Sequence, residues 1–95
     1  MKRCAIYTRA LSESDVQRRR AERFVLKQGW TYLPQRYHDH VGSSALKRLL
    51  RDLDNIDCVV VCDITRLSRL PGDLDRIRNM CADHGVSLVS MEASQ

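Results

Sequence analysis

Ninety-five residues are enough for one hydrophobic core and too few for a second module with its own interior, so the chain is read as a single domain over residues 1–95. Thirteen of the sixteen basic residues are arginine, against twelve acids; the excess favours an anionic partner, although a net charge of +4 selects no function class by itself. Cys4, Cys58, Cys62 and Cys81 are scattered, with no C-x-x-C pair and no secretory leader, and no apolar stretch nears the ~20 residues of a membrane span, so the expectation is a cytoplasmic protein without a membrane partner.

In chain order, "RCAIYT" (3–8) is short, apolar and rich in strand formers, and predicts a buried first strand ending at Arg9. "LSESDVQRRRAERFVLKQGW" predicts a helix: Ser12 or Ser14 as N-cap, Glu13 and Asp15 near the positive end, Val16, Ala21, Phe24 and Val25 as apolar positions, and Gly29 as the stop. "WTYLPQRYHDH" predicts a second strand whose internal Pro34 points to a sheet edge or a bulge. After Gly42, Leu46, Leu49, Leu50 and Leu53 recur at helical spacing behind a serine cap.

"DCVVVCD" is an uninterrupted apolar run bounded by acids, as expected of a central parallel strand covered on both faces. Pro71 suits the first turn of a helix whose stripe is Leu74, Ile77 and Cys81 and whose stop is Gly85, and "VSLVSM" supplies a last strand. The order βαβαβαβ, with right-handed crossovers, predicts an α/β fold of three layers: a mostly parallel four-stranded sheet with helices on both faces.

Ligands of such sheets sit at the carboxyl ends of the strands. The residues expected there are Arg9 with Ser12 and Ser14, then Asp39 and His40, then Asp63, Arg66 and Arg69, then Glu92. Phosphoryl transfer from a diester needs an in-line nucleophile and fixed positive charge on the non-bridging oxygens; arginines supply the second and a serine hydroxyl can supply the first. The chain has no P-loop, no glycine-rich dinucleotide fingerprint and no H-E-x-x-H, so no metal and no small-molecule cofactor is expected.

The strings "YTRALS", "DHVGSSALKRLL", "VVVCDITRLSR" and "HGVSLVSM" together resemble the catalytic domain of serine site-specific recombinases, the resolvases and invertases, over nearly the whole chain. The most specific part is R-L-S-R at the end of an apolar strand, followed by a helix and an H-G-V strand. The resemblance implies a resolvase-like fold and a serine that attacks DNA phosphodiesters, giving a 5′ phosphoserine bond and a free 3′ hydroxyl without metal or nucleotide. It also implies DNA as partner, with a homo-oligomer or a hetero-partner. By motif, Arg9 matches the first-strand arginine, and Arg66 and Arg69 match the pair that clamps the scissile phosphate.

Three features depart from the family pattern. Leu11 stands where the nucleophile belongs, leaving Ser12 or Ser14 to replace it; Thr65 stands where an aspartate is usual, leaving Asp63 two residues earlier; Ser43 and Ser44 stand where an arginine is common. The family also continues into a dimer-forming helix and a DNA-reading module, and residues 1–95 are read as the catalytic domain without them.

Alternatives accompany these readings. Arg66 and Arg69 can be solvated residues at a helix entry, Asp63 can simply pair with Arg9, and Ser12 can simply cap a helix. In "QRRRAER", Arg19 and Arg20 either lie on a solvated face or neutralise DNA phosphates. His38 and His40 share strand parity but lack a third placed ligand, and Cys58 and Cys62 read as packing. Two functions follow: a strand-transferring recombinase domain, or a catalytically inactive recombinase-derived module that binds DNA or a protein. A receiver-like phosphoacceptor role for Asp63 is set aside, because Thr8 and Arg9 occupy the place of the acidic pair it needs.

Overall fold

The first strand, β1 (Arg3–Arg9), is buried over Cys4 to Thr8, which makes it the interior strand around which the fold is arranged. It appears in a computed structural model that describes residues 2–9 and 14–92, the side chain of Ser14 excepted. On one side β1 pairs with β4 (Cys58–Val61), the apolar run expected to be central, and β4 pairs with β5 (Ser87–Ser90). On the other side lie β2 (Thr31–Tyr32), against the start of β1, and β3 (Tyr37–Asp39), against its end. All pairings are parallel, with the path β2-β1-β4-β5 and β3 beside β1.

The sheet thus has five strands where the pattern predicted four, because the second is broken. Pro34 lies in the gap between β2 and β3; it has no N–H to give to a ladder, and the break falls at a sheet edge as its presence suggested. Arg18 fills the gap. It stands in helix α1 (Ser14–Lys27) at only 6% exposure, and its guanidinium donates to the carbonyls of Leu33 (3.0 Å) and Gln35 (3.2 Å) and to Glu22 Oε2 (3.0 Å). The basic run of α1 is therefore not uniformly solvated: one of its arginines replaces the missing ladder bonds.

Alternation along β1 and β4 divides the core in two. Cys4, Ile6, Cys58 and Val60 meet Ala21 and Val25 of α1, while Ala5, Tyr7, Val59 and Val61 share the opposite cluster with residues of α2 (Ser44–Arg51) and α3 (Pro71–Asp83). Helices on both faces are what the uninterrupted apolar run requires. Val16, expected on the buried stripe of α1, is instead 49% exposed, and Leu53, expected in the second helix, is buried in a 3-10 turn just beyond it. Gly29 and Gly85 follow α1 and α3 at positive φ, a backbone region in which a side chain is strained. No helix among the described residues is long and apolar enough to cross a membrane.

Replacing Arg18 by Met keeps the bulk but removes the donors. Urea denaturation is expected to show a loss of about 2 kcal/mol, as befits hydrogen bonds from a buried charge, with helix content unchanged before the transition. Cys4 and Cys58 face each other in register beneath α1, and burial, aided by the neighbouring Cys4 thiol, pushes the Cys58 thiol up to about 12. A thiol reagent at pH 8 is expected to leave Cys58 unmodified in the folded protein and to label it rapidly in denaturant.

Candidate phosphate-binding site

The carboxyl end of β1 carries Arg9, whose side chain is held from several directions. Its Nε donates to the Arg66 carbonyl (3.0 Å), Nη1 to the Gly42 carbonyl (2.7 Å) and Nη2 to Ser43 Oγ (3.4 Å). Gly42 has φ +81°, a conformation open to glycine, in the turn between β3 and α2. Among the described residues its acidic partner is Asp39, with Oδ2 3.7 Å from Nη2. The sequence suggested Asp63 as the acid for Arg9; the structure corrects this to Asp39, which closes β3 directly beside Arg9 in register.

Asp39 is 4% exposed and fully engaged. It accepts hydrogen bonds from the backbone N–H groups of Ala45 (2.8 Å) and Leu46 (3.0 Å) and from the Tyr7 hydroxyl (2.8 Å). It thereby does at the start of α2 what the serine cap was expected to do, and Ser43, at the N-cap position, makes no side-chain cap bond. Burial alone would raise the Asp39 pKa, but the N–H of Ala45, the Tyr7 hydroxyl, the N–H of Leu46 and the Arg9 charge outweigh it and hold the carboxyl below its ordinary value. Burial and its bond to Asp39 push the Tyr7 hydroxyl well above the usual range.

Beyond β4 the chain does not stay extended. It turns into a 3-10 helix at Ile64–Arg66, and Asp63 is its N-cap, accepting from Thr65 N (2.8 Å) and Thr65 Oγ1 (2.6 Å). Those two bonds hold the Asp63 carboxyl below its usual value. The residue at the family's aspartate position thus hands its hydroxyl to the aspartate two places earlier.

The 3-10 turn swings Arg66 back toward β1. Its Nη1 donates to the Arg9 carbonyl (3.3 Å), reciprocating the bond from Arg9 to the Arg66 carbonyl, and its buried Nε finds no partner among the described residues. Arg9, Arg66 and the exposed Arg69 line a single cleft of about 310 Å³, with Ser43, Thr65 and Ser68 contributing hydroxyls and Leu67 the apolar part. The three arginines expected to share a rim therefore do so.

The other expected residues fall elsewhere. Ser12 and Leu11 lie outside the described residues, and Ser14 begins α1 with its side chain undescribed. Arg19 is exposed, its Nε donating to the Asp15 carbonyl (3.3 Å), and Arg20 lines a separate groove of about 660 Å³ with Phe24, Leu26 and Met91; neither lines the arginine cleft. His38 Nδ1 lies 2.7 Å from Thr8 Oγ1, and His40 is exposed beyond the end of β3. The sequence reading overlooked Ser43 as a cleft residue and Asp39 as its organiser. The available signals were the parity of Tyr7 with Arg9 and an acid five residues ahead of a helix.

Comparison with known proteins bears on the family and the fold. The model of the family described as "Resolvase, N terminal domain" matches residues 4–95. Among solved structures, the chain is similar to the C-terminal catalytic domain of ISC1926 TnpA, an IS607-like serine recombinase, at 17% identity and TM-score 0.82, covering 97% of this chain and 71% of that one. It is equally similar to a resolvase-family site-specific recombinase from Streptococcus pneumoniae, at 20% identity and TM-score 0.82, covering 100% and 75%. A serine recombinase from Sulfolobus solfataricus matches at 20% identity and TM-score 0.66, covering 100% and 71%. No curated protein sequence matches.

Because the Asp39 pKa is depressed in the folded state, its contribution to stability is present above the unfolded carboxyl pKa of about 3.9 and is lost as pH falls through the folded value. Urea unfolding across pH 2.5–7 is expected to show the wild type losing stability at the acid end. Asp39→Asn is expected to be less stable by about 2–4 kcal/mol at pH 7, with the gap narrowing as pH falls.

Proposed function

Since the chain belongs to the resolvase N-terminal domain family, we propose that it is a DNA strand-transfer domain in which Arg9, Arg66 and Arg69 grip one phosphodiester for attack by a serine. The observation that carries this reading is the arginine cleft itself. Two of the guanidinium-bearing residues are locked by each other's backbone carbonyls and the third lines the same hollow, so positive charge is fixed where the non-bridging oxygens of a phosphate would build up negative charge. Arginine stays protonated throughout the biological pH range, so this stabilisation needs no proton uptake. The product would be a 5′ phosphoserine and a free 3′ hydroxyl, with the bond energy retained for rejoining, and the working unit would be an oligomer of this chain or an assembly with a related partner.

A second reading rests on one residue. Leu11 has no attacking atom at the family's nucleophile position, which favours an inactive module that grips DNA through the same cleft.

A nicked duplex of randomised sequence, incubated with the protein and run on a denaturing gel, tests both readings. Strand transfer is expected to give a slow-migrating covalent adduct whose rate of formation falls by a hundredfold or more in Arg66→Ala. Noncovalent binding is expected to weaken in Arg66→Ala and Arg69→Ala and to fall as salt rises, each lost phosphate contact reducing the salt slope by about one. Binding that depends on these arginines without any adduct would establish the inactive module. Binding unaffected by both changes would overturn the cleft as the DNA site.

A further inference from the structure

From the hydroxyls that line the arginine cleft we infer that Ser43, at the entrance of α2, is the nucleophile that compensates for Leu11; this deepens the strand-transfer reading and rests on it. Among the described residues three bring hydroxyls to the cleft, and two of them bond within their own turns. Thr65 Oγ1 donates to Asp63 Oδ1 at 2.6 Å, and Ser68 Oγ accepts the N–H of Leu70 at 3.1 Å in its own turn. Ser43 alone of the three has its oxygen against a guanidinium, 3.4 Å from Arg9 Nη2.

Its position ordinarily has another task. A serine at an N-cap normally turns its hydroxyl onto the first free N–H groups of the helix, where it is spent on structure. Here the two oxygens of Asp39 hold the N–H groups of Ala45 and Leu46, and the Ser43 side chain makes no cap bond. The same carboxylate accepts the Tyr7 hydroxyl and lies 3.7 Å from Arg9, so one buried group both fixes the start of α2 and sets Arg9 beside Ser43. A fixed positive charge next to the hydroxyl favours the oxyanion that forms as the proton departs.

In the reaction, Ser43 Oγ bonds to the phosphorus held by the arginines and the bond from phosphorus to the 3′ oxygen breaks. The hydroxyl proton passes to water, and the departing oxygen takes a proton from water to become the free 3′ hydroxyl. Rejoining is the reverse, with the 3′ hydroxyl attacking the phosphoserine.

Trypsin separates the candidates cleanly, since Ser12 and Ser14 fall in the peptide of residues 10–18 and Ser43 and Ser44 in that of residues 37–47. Protein reacted with the nicked random duplex is digested with nuclease and trypsin, and the phosphorylated peptide is identified by mass spectrometry. The inference expects the label on 37–47, loss of adduct in Ser43→Ala, retention in Ser44→Ala, and DNA binding by Ser43→Ala within about threefold of wild type. That last readout separates a nucleophile from a residue that merely shapes the cleft. Label on 10–18, or an adduct that survives in Ser43→Ala, overturns the role of Ser43 and leaves strand transfer standing. Absence of any wild-type adduct, with arginine-dependent binding intact, overturns both together in favour of the inactive module.

Discussion

The buried carboxylate of Asp39 is the constraint on which the functional end of this molecule depends. A charge with 4% exposure is tolerable only if its oxygens are matched, and matching them fixes the positions of a tyrosine hydroxyl from β1, the first turn of α2 and the side chain of Arg9. With Arg9 fixed, its bond to the Arg66 carbonyl fixes the turn after β4. The order of dependence thus runs from one acid at a sheet edge, through an interior strand, to the loop that completes the cleft.

Much of the architecture was legible because its causes are local. The apolar run "CVVV" makes a central strand, and the leucines of "SSALKRLLRDL" make a helix because their spacing gives one sticky face. Pro34 announced the broken edge because a missing N–H is a property of the residue alone. The arginine cleft was legible for a related reason: strand ends of a parallel sheet gather on one side, so Arg9, Arg66 and Arg69 had to meet there.

What escaped the sequence were the polar contacts between residues far apart in the chain. Asp39 and Tyr7 are separated by 32 residues, and nothing near either names the other. Asp63 looked like the partner of Arg9 because both follow adjacent strands, yet a 3-10 turn gave its oxygens a nearer claim in Thr65. Arg18 was indistinguishable from Arg19 and Arg20 by composition; only the helix phase and the ladder gap beside it sent one arginine inward and left its neighbours in solvent. The same limit applied to Ser43, whose release from capping follows from what Asp39 does.

The reciprocal bonds between Arg9 and Arg66 tie two cations together by their backbones rather than by their charges. Neither guanidinium can swing away without giving up a carbonyl, and the buried Arg66 Nε already lacks an acceptor among the described residues. The two side chains therefore act as a paired latch, in which displacing one loosens the backbone that carries the other. An anion gripped by either guanidinium would thus steady the end of β1 and the turn after β4 together.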